Sequence, residues 1–317
     1  MVIKRAPSSA WPDIGPAKAT RIGSGSAPTA VGAAAARVGV MGIGVQKSAT
    51  SWVFRNMTTH PDVRGAVGER REKEINFFNH HYEYGYDWYE QRFRPGPWAN
   101  TEFSVLYFHD RNVPERLNRY NPRARLILCL RNPVDRSLSQ YRHEIRFGRA
   151  PHRLDGFWDA VKRNPSYLEQ GMYATHLERW LEHVPRSRIH VVDYEDVVER
   201  PEDVIRGVFR FINVDPDFLP EDPHRRVNTA RILGDGPLRK AITGVKEGVR
   251  VVAGRRVTRW LAGTPVGRRI QGYRYVEVGG HEGIRFGDEE RKRLAQVFAP
   301  EMERLSRLLD RDYHRWI

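Results

Sequence analysis

The sequence predicts an α/β protein in which helices cover both faces of a parallel sheet. Three observations lead there. Short apolar runs at 38–45, 125–130 and 188–194 are bounded by turn residues, as strands buried on both faces are. A segment of helical period follows each run, and such alternation implies right-handed crossovers into one sheet. No self-similarity recurs at periods of about 20 to 50 residues, which excludes a solenoid or propeller.

In chain order, "VGVMGIGV" (38–45) is the first strand, and "TSWVFRNMTTH" the helix after it, closed by "HPDV". "RLILCL" (125–130) is the clearest buried strand. "NPVDRSLSQYRHEIRFG" follows, with Asn132 as helix cap, Pro133 at the first helical position and Gly148 at the stop. "LEQGMYATHLERWLEHV" carries Met172, Leu177, Trp180, Leu181 and Val184 at helical spacing and reads as one amphipathic helix. "RIHVVDY" is a third strand and "EDVIRGVFRFINV" its helix. The tail from Gly287 to Trp316 reads as a long amphipathic helix, bent or broken near Pro300.

Composition bounds the class. At 317 residues, with 40% hydrophobic and 29% charged residues, the chain can bury a full core. Residues 1–36 are rich in Ala, Gly, Ser and Pro, and a flexible arm is expected there, followed by a single domain over 37–317 with a variable basic insertion at about 220–285. A single cysteine, Cys129, suits a reducing, cytoplasmic setting. Lys4 and Arg5 are followed by no apolar stretch, and no run of about 18 apolar residues occurs, so neither a secretory signal nor a spanning helix is expected.

The net charge of +14 is concentrated: residues 225–274 hold thirteen Lys or Arg against Asp235 and Glu247. Such a field suits polyanions, acidic substrates or peripheral contact with a membrane surface, and it is equally the solvated face of an arginine-rich protein. No helix-turn-helix or RNA-binding signature accompanies it, which disfavours nucleic acid.

The chemistry begins in "MGIGVQKSATSW" (41–52). A turn between a buried strand and a helix presents backbone N–H groups and the positive end of the helix dipole to an anion. Lys47 adds a charge, while Ser48, Thr50 and Ser51 add hydroxyl donors. The Walker A spacing fails at both glycines, where Met41 and Gln46 stand. That disfavours the rival reading as a P-loop kinase or NTPase. In "LRNPVDRSLSQY", Arg131 ends a strand and Ser139 lies two helical turns on, which makes them a plausible pair of donors to one phosphate.

These motifs resemble those of the sulfotransferase family that uses 3′-phosphoadenosine 5′-phosphosulfate (PAPS), in particular its bacterial and glycosaminoglycan branches. "QKSATSW" is similar to the family's 5′-phosphosulfate loop, with Ala49 at the usual glycine and Trp52 at the position of an adenine-facing tryptophan. With alanine there, the backbone at 49 is expected to keep negative φ. Arg131 and Ser139, about 80 residues on, match the pair that binds the 3′-phosphate. "KEINFF", "YED" and "LLDRDYHRW" extend the resemblance.

The resemblance implies the sulfotransferase fold, PAPS as donor, 3′,5′-bisphosphoadenosine (PAP) as product and no metal requirement. It implies a donor site of Lys47, Ser48, Ala49, Thr50, Ser51, Trp52, Arg131, Ser139 and Tyr194, with Arg225 and Arg226 as a late basic loop. Lys47 would stabilise the leaving phosphate. Glu74 matches the catalytic base of the glycosaminoglycan branch, and Phe77 and Phe78 are expected to line it and raise its pKa. His109 is a rival base. Phe103 stands where the family has a lysine directed at the reacting centre, so His109, Arg111 or the basic segment is expected to supply that cation. The acceptor implied is a small molecule or glycan, with an anionic one suited to the basic segment. Non-enzymatic polyanion binding is the remaining alternative.

Overall fold

A computed structural model describes residues 36–67, 73–146, 157–225 and 287–317. All of the expected arm but Ala36, with Gly148, Arg226 and nearly all of the basic segment, lies outside the described residues.

Among the described residues, five parallel strands form the sheet, in the order β2-β3-β1-β4-β5. They are β1 (Val38–Gly44), β2 (Val63–Gly65), β3 (Ala99–Phe103), β4 (Arg125–Leu130) and β5 (Ile189–Asp193). The helices are α1 (Thr50–Met57), α2 (Phe77–His80), α3 (Gly85–Glu90), α4 (Val113–Tyr120), α5 (Pro133–Arg146), α6 (Phe157–Arg163), α7 (Ser166–Glu169), α8 (Tyr173–Leu181), α9 (Tyr194–Glu199), α10 (Pro201–Ile212) and α11 (Asp288–Leu309). None of them is long and apolar enough to cross a membrane.

The pleat of β4 divides the core. Leu126, Leu128 and Leu130 join Trp180, Met302 and Leu305 on one face, and Ile127 and Cys129 join Trp52, Val53 and Phe209 on the other. Helices therefore cover both faces, as expected of strands this apolar. Asn132 caps α5, its Oδ1 accepting from Val134 N at 2.9 Å and Asp135 N at 3.3 Å.

Three expectations need correction. The helix expected across 168–184 is two, α7 and α8, parted by a turn at Gly171. A Cβ on Gly171 would lie 2.6 Å from the Phe298 ring, so the close approach of α11 sets the break. Conversely, α11 runs through Pro300 without interruption. It ends at Asp310, whose φ of 52° stops it short of Trp316.

Candidate active site

The sheet brings the two sequence motifs together. β1 and β4 are neighbours, and Val45 N donates to Cys129 O at 2.8 Å, so the loop after β1 leaves the sheet beside the end of β4. There Arg131 Nη1 donates to Lys47 O at 3.3 Å. The Arg131 guanidinium also lies 4.3 Å from the Tyr194 ring centroid, at the start of α9. Tyr173 OH donates to Arg131 O at 2.9 Å and pins the strand end. Lys47, Arg131 and Tyr194 thus lie together beyond the ends of β1, β4 and β5.

Ser139 sits in α5 one turn before His143, on the same helix face. His143 Nδ1 is 3.3 Å from Lys47 Nζ, so that face looks onto the loop. Sequence reading missed His143, although the helical step of four from Ser139 points to it.

The shape of the loop can receive an anion. Lys47 (φ 73°) and Ala49 (φ 59°) are left-handed on either side of Ser48, the alternation that curls successive N–H groups around a negative charge. Ala49 therefore does not keep negative φ. The conformation costs an alanine about 1–2 kcal/mol, held by the helix start, where Trp52 N and Val53 N donate to Ala49 O at 2.8 and 3.1 Å. Ser48 Oγ is buried with no hydrogen-bond partner, an orphaned hydroxyl that a phosphate oxygen would satisfy. Trp52 is 6% exposed, and its indole N–H donates to Pro223 O at 2.7 Å. This bond brings the segment bearing Arg225 to α1.

Glu74 lies across the loop. Its Oε1 is 3.4 Å from Lys73 Nζ, which donates to Thr50 Oγ1 at 2.9 Å and Ser51 Oγ at 3.4 Å. Phe77 and Phe78 do not line the carboxylate. Both are fully buried in the core, Phe77 stacked on Tyr89 and Phe78 edge-on to Tyr107. Glu74 is instead paired with a lysine, its side chain 38% exposed.

The segment is held from below. Glu102 is fully buried and accepts from Tyr89 OH (2.6 Å), Ser104 Oγ (2.7 Å), Tyr107 OH (2.8 Å) and Ile75 N (3.3 Å). Burial raises its pKa, and the donated bonds from Tyr89, Ser104 and Tyr107 oppose that rise. Ser104 Oγ also accepts from Asn76 N at 2.9 Å. Both residues after Glu74 are therefore clamped to β3 and the turn after it.

His109 is placed elsewhere. Its ring centroid is 6.3 Å from that of His176, and Arg179 Nη1 donates to its backbone oxygen at 3.4 Å. Burial lowers its pKa, so the ring is neutral at physiological pH. Phe103 is fully buried across Gly42, where a Cβ would come within 2.0 Å of the ring. The cation over that ring is Lys73, at 5.2 Å, not His109 or exposed Arg111. Sequence reading passed over Lys73 because only the pairing of Phe103 N with Lys73 O at 2.7 Å reveals the neighbourhood.

A parallel sheet with an anion-binding loop after β1 and a guanidinium at the end of β4 defines an α/β protein of the phosphate-loop kind. The model of the sulfotransferase domain matches residues 39–231, more than half of the chain, and the chain belongs to that family. Among curated relatives, human bifunctional heparan sulfate N-deacetylase/N-sulfotransferase 3 is 30% identical over 194 residues, covering 56% of this chain and 22% of the relative. Mouse heparan sulfate glucosamine 3-O-sulfotransferase 5 is 27% identical over 187 residues, covering 55% and 53%. The chain thus spans about a fifth to a half of the length of these relatives. A sulfotransferase from Alicyclobacillus acidocaldarius shares the fold, with a TM-score of 0.62 at 22% identity, covering 88% of this chain and 98% of that one.

Proposed function

We propose that the protein transfers a sulfuryl group from PAPS to a hydroxyl, or less favourably an amine, of a carbohydrate, glycosylated metabolite or lipid. One observation carries the reading: Arg131 Nη1 reaches Lys47 O at 3.3 Å, which sets a guanidinium beside the loop after β1. A ligand bearing phosphate at both ends of its ribose suits that pair. The names of the heparan sulfate relatives support a carbohydrate acceptor, and a basic stretch at 225–274 suits an anionic one.

The residues present fit the donor. Ser48, Thr50 and Ser51 would give hydroxyl donors to the 5′-phosphosulfate, while Arg131, with Ser139, would take the 3′-phosphate. PAPS, when bound, supplies an activated sulfuryl group and leaves as PAP. Glu74 would remove the acceptor's proton as the acceptor's lone pair forms the new bond to sulfur. Lys47 would face the bridging oxygen, which keeps the electron pair of the broken S–O bond. Tyr194 would support the Arg131 guanidinium, and Arg225 and Arg226 would close over the donor.

Calorimetric titration with PAP and ATP, followed by transfer of label from PAPS into acceptor pools, tests the proposal. PAP is expected to bind about tenfold or more tightly than ATP, because ATP lacks a 3′-phosphate. Equal affinity for the two nucleotides would overturn it.

A further inference from the structure

Lys73 touches both sides of the site. Its ammonium donates to Thr50 Oγ1 at 2.9 Å and Ser51 Oγ at 3.4 Å in the donor loop, and to Glu74 Oε1 at 3.4 Å. The aromatic face of Phe103 lies behind it, the ring centroid 5.2 Å from Nζ. The side chain is 16% exposed, and desolvation lowers its pKa, with Glu74 opposing that shift.

An ammonium has three N–H bonds, and two of these point at neutral hydroxyls. A sulfonate or phosphate oxygen is a stronger partner for a partly desolvated cation than a hydroxyl is. Any anion seated on Thr50 and Ser51 therefore competes with Glu74 for Lys73. Lys73 Nζ, in contact with both, stands between the seat of that anion and the Glu74 carboxylate.

We infer that Lys73 is a catalytic residue that exchanges partners, holding Glu74 before the donor binds and turning to the donor's sulfonate afterwards. The exchange frees the Glu74 carboxylate to take the acceptor's proton only once a sulfuryl group is in place. Lys73 keeps its own protons throughout; the acceptor's proton goes to Glu74, and the electron pair of the broken S–O bond goes to the departing phosphate. This role rests on the sulfotransferase reading above.

The test needs no acceptor. PAPS and PAP, which differ by the sulfonate, are titrated calorimetrically into the full chain and its variants. Lys73→Gln is expected to weaken PAPS about tenfold or more and PAP by less than about threefold. Glu74→Gln removes the competing carboxylate and is expected to tighten PAPS about threefold, leaving PAP unchanged; the gain vanishes in the double variant. The Glu74→Gln comparison leaves Lys73 intact and stands even if Lys73→Gln does not fold. If Lys73→Gln weakens both nucleotides alike, or Glu74→Gln leaves the preference for PAPS unaltered, the exchange is overturned. If the wild type binds neither nucleotide, the sulfotransferase reading itself falls.

Discussion

Arg131 Nη1 and the backbone oxygen of Lys47, 84 residues apart in sequence, are 3.3 Å apart in space. The contact joins the loop after β1 to the end of the adjacent strand β4, so the sheet spacing sets how far apart the loop backbone and the Cα of Arg131 stand. A doubly phosphorylated nucleotide can be measured against that spacing.

Removal of the guanidinium gives the first prediction. Arg131→Ala is expected to weaken PAP about 10- to 100-fold, the worth of charge-assisted bonds, with the fold retained. Arg131→Lys should restore little, because an ammonium lacks the fork. Calorimetry with circular dichroism as the folding control reads both outcomes.

Glu74 reaches the loop through Lys73, whereas His109, the rival candidate base, packs beside His176. Glu74→Gln is expected to keep PAP binding and lose about 10²- to 10⁴-fold in sulfuryl transfer, the range for a general base. His109→Asn, altering a ring beside His176, should cost about threefold or less. Rates of label transfer from PAPS decide between them, and a reversed order would reassign the base.

Glu102 is fully buried and holds the backbone that follows Glu74. Its oxygens accept from two tyrosines, a serine and Ile75 N. Glu102→Ala strands those donors and is expected to cost about 3 kcal/mol or more of stability, seen as a fall in the urea midpoint. Glu102→Gln can still accept and should recover part of that loss. Both should lower kcat for transfer more than they raise the KM for PAPS, because the disturbance is at Glu74.

Acid should weaken the fold through two histidines. Burial holds His176 and His190 near a pKa of about 4, well below the usual 6.5. Between those values the unfolded chain binds protons that the folded chain refuses, so stability falls as pH drops from about 6.5 towards 4. For His176 the loss reaches at most about 3 kcal/mol. Urea midpoints at pH 7 and pH 4.5 check this; His176→Gln should show a shallower decline, since it has no proton to gain.

How much of this was legible in the sequence depended on what each element buries. β1, β4 and β5 are apolar on both faces and announce themselves. β3 lies next to β1, yet carries buried Asn100, Thr101 and Glu102, whose polarity hides a strand at a sequence level. β2 is three residues long, too short for any period. The donor motifs were readable because the loop and Arg131 each follow a visible strand. Lys73 was not, since its place depends on pairing with Phe103, 30 residues away. The break at Gly171 likewise depends on Phe298 of a distant helix.

The bond from the Trp52 indole to Pro223 O fastens the chain to α1 just before residue 226, and α11 is anchored in the core from Leu294 onward. Both borders of the intervening stretch are thus moored independently of its content. Natural drift, or a deliberate exchange between relatives, beyond Arg226 is therefore expected to leave the Trp52–Pro223 and Arg131–Lys47 contacts in place.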